Sequence, residues 1–280
     1  MPNIRPAAVA GSWYPGSAAE LARAVDGYLS LASADAGDRF DSLTAIIAPH
    51  AGLIYSGPVA AYAYGLLRGR AFDVIVLVGP SHFVGFDGVA VYRAGGFETP
   101  LGVAAIDERC AVEIMRAAPI VREHAAAHAR EHSLEMQLPF LQRLAQGVPI
   151  VPLVMGFQSA ETARALGDAL GAVLGGRRAL LVASTDLSHY HDAVTAARLD
   201  QVVLDHVARF DADGLQRALD RTPDHACGGG PTVAVMRAAH ALGARDARVL
   251  RYADSGDVSG DKSSVVGYMA AALGCLHDHG

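Results

Sequence analysis

The sequence predicts a single α/β domain spanning 1–280. Three observations carry that prediction: short apolar runs without polar alternation, Ala-rich helical stretches between them, and no linker, repeat or low-complexity tract to divide the 280 residues. Continuous apolar runs suit strands buried on both faces, as in a parallel sheet. Such strands alternating with helices give βαβ units and a layered sandwich. The strand runs are 44–48, 73–79, 149–155, 179–184 and 248–252, with 88–92 and 265–269 as further candidates. The spacing predicts helices over 58–67 after the first run, 107–117 after the Gly/Pro-rich segment 95–102, and 159–174 after the third run. Helices over 192–210 and 231–242 complete the set, the last with Pro231 at its start, where a missing N–H costs least.

Composition bounds the function. Hydrophobic residues make up 51% and charged residues 19%, which excludes a disordered chain. A domain of this size buries roughly three-quarters of the unfolded surface and needs no disulfide to hold its core. The net charge is −6, the only lysine is Lys262, and a general nucleic-acid binder is excluded. Cys110, Cys227 and Cys275 are far apart and form no CxxC pair, so neither a disulfide framework nor a zinc ribbon is expected. The first residues lack an apolar stretch after a basic start, and no uncharged apolar run reaches the roughly 18 residues of a membrane span. A cytoplasmic location with reduced cysteines is the expectation.

Chemistry gathers where the strand runs end. The first is followed by Pro49-His50-Ala51-Gly52, the second by Ser81-His82, and the fourth by Thr185-Asp186-Leu187-Ser188-His189. In open α/β sheets ligands bind beyond the carboxyl ends of the strands. Three strand ends thus bring imidazoles and a carboxylate to one edge, and imidazole serves both as metal ligand and as general base. Each residue has an ordinary alternative: a loop histidine for His50 or His82, an Asx-turn or cap for Asp186, and a solvated neighbour for His191. The matching placement of His50 and His82 after successive strands favours a shared role.

A second cluster is Asp224-His225-Ala226-Cys227-Gly228-Gly229-Gly230-Pro231. Three glycines allow close backbone approach to a ligand or a sharp turn. Cys227 then lies near the start of the 231–242 helix, a position that lowers a thiol pKa and favours the thiolate. The alternative is a buried, inert cysteine, the reading given to Cys110 and Cys275. A third cluster holds His124, His128 and His132 at i, i+4, i+8 spacing, one face if the segment is helical. His124 and His128 fit a solvated polar face, whereas His132, beside the apolar 134–141 stretch, is placed to line a pocket.

Taken in order, these motifs resemble the Memo family, whose bacterial members are called AmmeMemoRadiSam system protein B. The resemblance runs through Gly11-Ser12-Trp13-Tyr14-Pro15, Pro49-His50-Ala51-Gly52 with Tyr55-Ser56-Gly57, and Gly79-Pro80-Ser81-His82. It continues through Glu131-His132-Ser133-Leu134-Glu135 and Ser184-Thr185-Asp186-Leu187-Ser188-His189. Cys227-Gly228, Ser255-Gly256-Asp257-Val258 and Val266-Gly267-Tyr268 close it.

The resemblance implies a fold similar to LigB-type class III extradiol dioxygenases: a central mixed, largely parallel sheet flanked by helices, with a pocket at one edge. It implies metal ligands at His50, His82 and Cys227, with His132, Asp186 and His189 around them. His189 matches the dioxygenase base, and Asp186 is expected to orient a neighbouring imidazole. Iron (Fe2+) is the expected ion and copper the alternative, because Cys227 stands where the dioxygenases have a carboxylate and a thiolate also suits Cu(I). The implied function is a non-haem metal-dependent redox protein, dioxygenase-like toward a small-molecule substrate. The alternative is a metal- or partner-binding protein without turnover. AMMECR1-like and radical-SAM proteins are the implied partners; a nucleic acid or a membrane is not. A third reading, a cysteine hydrolase using Cys227 with His225 or His189 and oxyanion donors from the glycine loop, leaves His50 and His82 without roles.

Overall fold

Burial on both faces is what the apolar runs deliver. The strands Val74–Pro80, Ile150–Met155 and Ala179–Ser184 are buried at every residue. The computed structural model describes residues 3–32 and 40–277. In chain order the strands are β1 (Ile4–Arg5), β2 (Phe40–Ala48), β3 (Val74–Pro80), β4 (Val89–Val91), β5 (Gly96–Thr99) and β6 (Gly102–Ala105). They continue as β7 (Val121–Glu123), β8 (Ile150–Met155), β9 (Ala179–Ser184), β10 (His189–His191), β11 (Asp246–Asp254) and β12 (Val265–Leu276). The helices are α1 (Ala18–Ala32), α2 (Leu53–Gly65), α3 (Glu108–Ala117), α4 (Ala125–Ala129) and α5 (Leu138–Leu144). They continue as α6 (Ala160–Leu174), α7 (Ala193–Ala208), α8 (Ala212–Arg221), α9 (Gly229–Ala241) and α10 (Gly256–Ser259).

The main sheet runs β10-β12-β2-β9-β3-β8-β4-β7, with β11 also paired to β12. Its centre, β2-β9-β3-β8, is parallel. Antiparallel pairing begins on either side, where β12 meets β2 and β4 meets β8. A small second sheet, β1-β5-β6, brings the N-terminal segment against the main body.

Alternation along the central strands separates two cores. Ile47, Val76, Val78, Leu181 and Leu153 face one layer, with α3, α6, α7, α8 and α9. Ile46, Ile75, Leu77, Leu180 and Val154 face the other, with α1, α2 and α5. Truncating a side chain such as Leu77 to Ala is expected to cost about 2–5 kcal/mol.

Helix boundaries follow local chemistry. Asp107, Ser159 and Asp192 accept backbone N–H bonds at the starts of α3, α6 and α7. The sequence placed two helix starts too late. Helix α2 begins at Leu53 rather than Pro58, because the Leu53 amide finds the Trp13 carbonyl at 2.8 Å and a first turn forms ahead of the proline. Helix α9 begins at Gly229, so Pro231 occupies its third position. No helix of the described residues is long and apolar enough to cross a membrane.

Candidate metal centre

Strands β2, β9 and β3 are parallel neighbours, so their carboxyl ends open on one edge. His50 follows β2, His82 follows β3 and Asp186 follows β9. The loop before α5 adds His132. The His50 and His82 ring centroids are 5.1 Å apart, those of His82 and His132 4.5 Å, and those of His50 and His132 5.7 Å. One nitrogen from each ring lies within 4.8 Å of the others, a grouping able to hold a metal ion. His50 and His132 are buried, and the His82 side chain is 27% exposed.

Hydrogen-bond accounting fixes the tautomer of one ring and the orientation of a second. Ser184 Oγ donates to the Ser133 carbonyl at 2.7 Å and accepts from Gln137 Nε2 at 2.7 Å. Gln137 Nε2 also donates to the Pro49 carbonyl at 3.1 Å, which identifies it as the amide nitrogen. With its one proton committed, Ser184 can only accept from His50 Nδ1, 2.9 Å away. His50 Nε2 therefore carries a lone pair. His82 Nδ1 likewise donates to Glu131 Oε1 at 2.9 Å, which leaves Nε2 as the nitrogen free to meet an ion. Metal-binding histidines are commonly held in this way, with the second nitrogen tied to an oxygen behind the ring.

Glu131 does more than orient one ring. Its buried carboxylate also accepts from the backbone N–H groups of His82 (2.6 Å), His132 (2.9 Å) and Ser133 (2.8 Å). Burial pushes this carboxyl up, but the His82 ring and the amide donors outweigh it and hold it at about 2. His50 is lowered well below the ordinary imidazole range by burial and then by its histidine neighbours. Burial and His82 bring His132 down to about 4. Neutral imidazoles with free lone pairs are the form a metal requires.

The Cys227 sulfur lies 3.3 Å from His50 Nε2 and accepts from the Asp186 amide at 3.3 Å. It is not part of the three-histidine grouping. Its loop is clamped: Gln158 Nε2 donates to the Cys227 carbonyl and Gln158 Oε1 accepts from the Gly230 amide, each at 2.7 Å. Gly228 is required by packing, since a Cβ there would stand 2.3 Å from the Ser184 carbonyl. Gly228 thus serves a close approach to neighbouring protein backbone. The expected low thiol pKa is reversed. Burial, then the Asp186 carboxyl, push the Cys227 thiol well above its ordinary value despite the helix start that follows.

Asp186 is buried, and Oδ1 accepts from the His50 amide at 2.7 Å and the Ala51 amide at 3.3 Å. It therefore holds the His50 backbone, while Ser184 and Glu131 orient the rings. Burial raises it to about 7, against those two N–H bonds. His189 lies on β10, near enough for its charge to lower His50. The strand end carrying it is held by Asp200, which accepts from the Ser188 amide at 2.9 Å and the Tyr252 hydroxyl at 2.8 Å.

The three-histidine helix face does not form. Helix α4 stops at Ala129 because Arg5 donates to the His128 carbonyl (2.6 Å) and the Glu131 carbonyl (2.5 Å), and Glu131 captures the next two amides. His124 caps α4 through Nδ1, and His128 is buried rather than solvated. The hydrolase arrangement also fails. The Cys227 sulfur meets His50, while His225 Nδ1 is buried without a partner. The Gly228 and Gly230 amides already bond Thr185 Oγ1 and Gln158. Cys110 is buried in α3 and Cys275 lies on β12, both away from the cluster.

Sequence reasoning missed Glu131, Ser184, Gln137 and Asp200 as positioning residues. Only Glu131 and Ser184 had a legible signal, each lying within two residues of a singled-out histidine or aspartate.

The family model described as Memo-like protein matches residues 5–272. A MEMO1 family protein of Methanothermobacter thermautotrophicus is 38% identical over 272 residues, covering 95% of this chain and 98% of the relative. One from Methanopyrus kandleri is 37% identical over 275 residues, covering 95% and 97%. A crystal structure of an uncharacterized protein from Escherichia coli K12 covers 81% of this chain and 99% of its own, with a TM-score of 0.54 at 17% identity, a likeness of fold. The matched region takes in every strand end that delivers a histidine to the cluster, and the chain belongs to the Memo family.

Proposed function

We propose that this chain is a redox protein holding one non-haem metal ion, iron with copper as the rival, between His50, His82 and Cys227, and that it acts on a small molecule by dioxygenase-like chemistry. The observation that carries this reading is the pair of fixed imidazoles. Two rings, each tied at Nδ1 to an oxygen, turn their Nε2 atoms to a common edge beside a cysteine sulfur. When bound, such an ion supplies electron transfer with oxygen that no side chain supplies.

The chain's own residues supply positioning and proton chemistry. Burial lowers His189 below the ordinary imidazole range, helped by His82 and opposed by the Leu187 carbonyl and Asp200, which favours the neutral ring that takes a proton from a substrate hydroxyl. Asp200 holds the strand end that carries it. Asp186 keeps the His50 backbone in place through two N–H bonds. Trp13 and Phe83 flank His132, with ring centroids 4.3 and 5.8 Å from it, and limit water around the rings.

One observation favours a second reading, a metal- or partner-binding protein without turnover. Aromatic side chains near the cluster are exposed: Trp13 at 38%, Phe83 at 49% and Tyr190 at 78%. AMMECR1-like or radical-SAM proteins are the partners proposed for it. Oxygen uptake on catecholic substrates, measured beside the metal content of protein purified without air, separates the two. Substrate-dependent uptake that disappears in His82→Ala supports the enzyme. Bound metal without uptake supports the binder.

A further inference from the structure

We propose that the cavity between the end of β8, helix α8 and the start of α9 binds a small protonated amine carried on a short apolar body. The site makes no use of the histidine rings and stands whether or not a metal is held at them.

The cavity has a volume of about 360 Å³, a size that takes a small molecule. Phe157, Leu219, Pro223 and Ala226 give it apolar walls. Phe157 is 62% exposed, so this aromatic ring is open to a ligand.

Two acceptors, adjacent on one face of α8, lack a donor from outside the pair. Gln216 Nε2 donates to Asp220 Oδ1 at 2.8 Å, four residues on. A carboxylate only accepts, so the atom facing Asp220 is the amide nitrogen, which leaves Oε1 to find another partner. Oε1 is buried without a hydrogen-bond partner, on a residue that is 9% exposed and lines the cavity. A buried acceptor without a donor is costly, and folded proteins keep few of them. Arg237 lines an adjoining cavity with Gln216, but its terminal nitrogens go to Asp213 and Asp168 and no hydrogen bond joins it to Gln216.

Charge then selects the donor. Among the described residues lining the cavity, Asp220 is the only charged side chain, and no Lys, Arg or His stands with it. An anion is repelled there. An ammonium carries three donors and no acceptor, enough to serve Gln216 Oε1 and the Asp220 carboxylate together, whereas a hydroxyl has one proton to give. The apolar walls take the body that carries it. Gln158 lines the same cavity while holding the Cys227 carbonyl and the Gly230 amide, so a bound amine lies beside the clamp of the Cys227 loop.

The test is calorimetric titration of the full chain at pH 7 with benzylammonium, with benzyl alcohol and benzoate as the neutral and anionic partners of the same body. Benzylammonium is expected to bind at one site, at least about tenfold more tightly than benzyl alcohol, and benzoate is expected not to bind. Asp220→Asn and Gln216→Leu should each weaken benzylammonium by about tenfold or more, the range for a hydrogen bond to a charged group. Asp220 is exposed on α8, so Asp220→Asn keeps the fold and carries the test should Gln216→Leu fail to fold. No binding of benzylammonium, binding no tighter than that of benzyl alcohol, or an affinity that either folded variant leaves untouched overturns the proposal.

Discussion

Glu131 and Glu135 stand four residues apart, both are buried, and they hold different parts of the molecule. Glu135 accepts from Arg5 at 2.7 Å, from the Tyr14 hydroxyl at 2.6 Å and from the amides of Ala8 and Val9. It ties down the N-terminal segment, including Trp13, whose ring packs on His132. Glu131 has no guanidinium on its carboxylate; an imidazole and three backbone amides surround it. A buried carboxylate matched by a cation serves the scaffold, because removing either partner strands a charge. One matched by an imidazole fixes which ring nitrogen keeps its lone pair, and so serves the site.

The largest expected effect is on stability. Glu135→Ala leaves Arg5 buried and unpaired and should cost about 3–5 kcal/mol in denaturant unfolding. Glu131→Gln keeps one acceptor for the amides and should cost about 1–3 kcal/mol. Equal losses would erase the distinction between the two glutamates.

Metal affinity should reverse the ranking. Glu131→Gln frees the His82 ring and should weaken Co(II) binding by about 10–100-fold, read by titration calorimetry. Glu135→Gln, which keeps the side chain's shape and lies behind the site, should leave that affinity within experimental error. A smaller effect follows from Ser184→Ala. His50 Nδ1 loses its acceptor while Gln137 keeps the Pro49 carbonyl, so stability should fall by about 1 kcal/mol and Co(II) affinity by about tenfold, the low end for an indirect contact.

The pH dependence sharpens the same contrast. Glu131 is held at about 2 against an ordinary value of 4.5, so its contribution is full above pH 4.5 and is lost as pH falls toward 2. Glu131→Gln should flatten acid unfolding across that window. His128, lowered by burial to about 3, adds to acid loss in the same direction: below its ordinary 6.5 the unfolded imidazole takes a proton that the folded one refuses. His128→Phe should reduce the slope of stability between pH 6.5 and 3, at a cost of about 1 kcal/mol at pH 7 for the lost Ala90 hydrogen bond. An unchanged slope would mean that His128 protonates freely in the folded protein.

The strand ends were legible because burial on both faces leaves an unbroken apolar run, and the residues just past it declare themselves: His50 after β2, His82 after β3, Asp186 after β9. Helix α1 carried a signal that went unread, Leu21, Val25 and Leu29 at four-residue spacing on its buried face. The support behind the rings was illegible for a physical reason. Glu131 finds His82 across 49 residues and Ser184 finds His50 across 134, and no local pattern encodes such pairings. Helical spacing misled at His124, His128 and His132, because Arg5, 123 residues from His128, takes a carbonyl that a continuing helix would need. The thiol of Cys227 was misjudged because its position before α9 was visible in sequence, whereas its burial beside Asp186 was not.

The central claim is that His50 and His82 present fixed lone pairs to a metal. Elemental analysis of protein purified without air, comparing the wild type with the double variant His50→Ala/His82→Ala, tests it most directly. The account predicts a single iron or copper ion per wild-type chain and none in a double variant that still folds. A metal-free wild type that also fails to take up Fe(II), Cu(I) or Co(II), or a double variant that retains the wild-type metal, would contradict it.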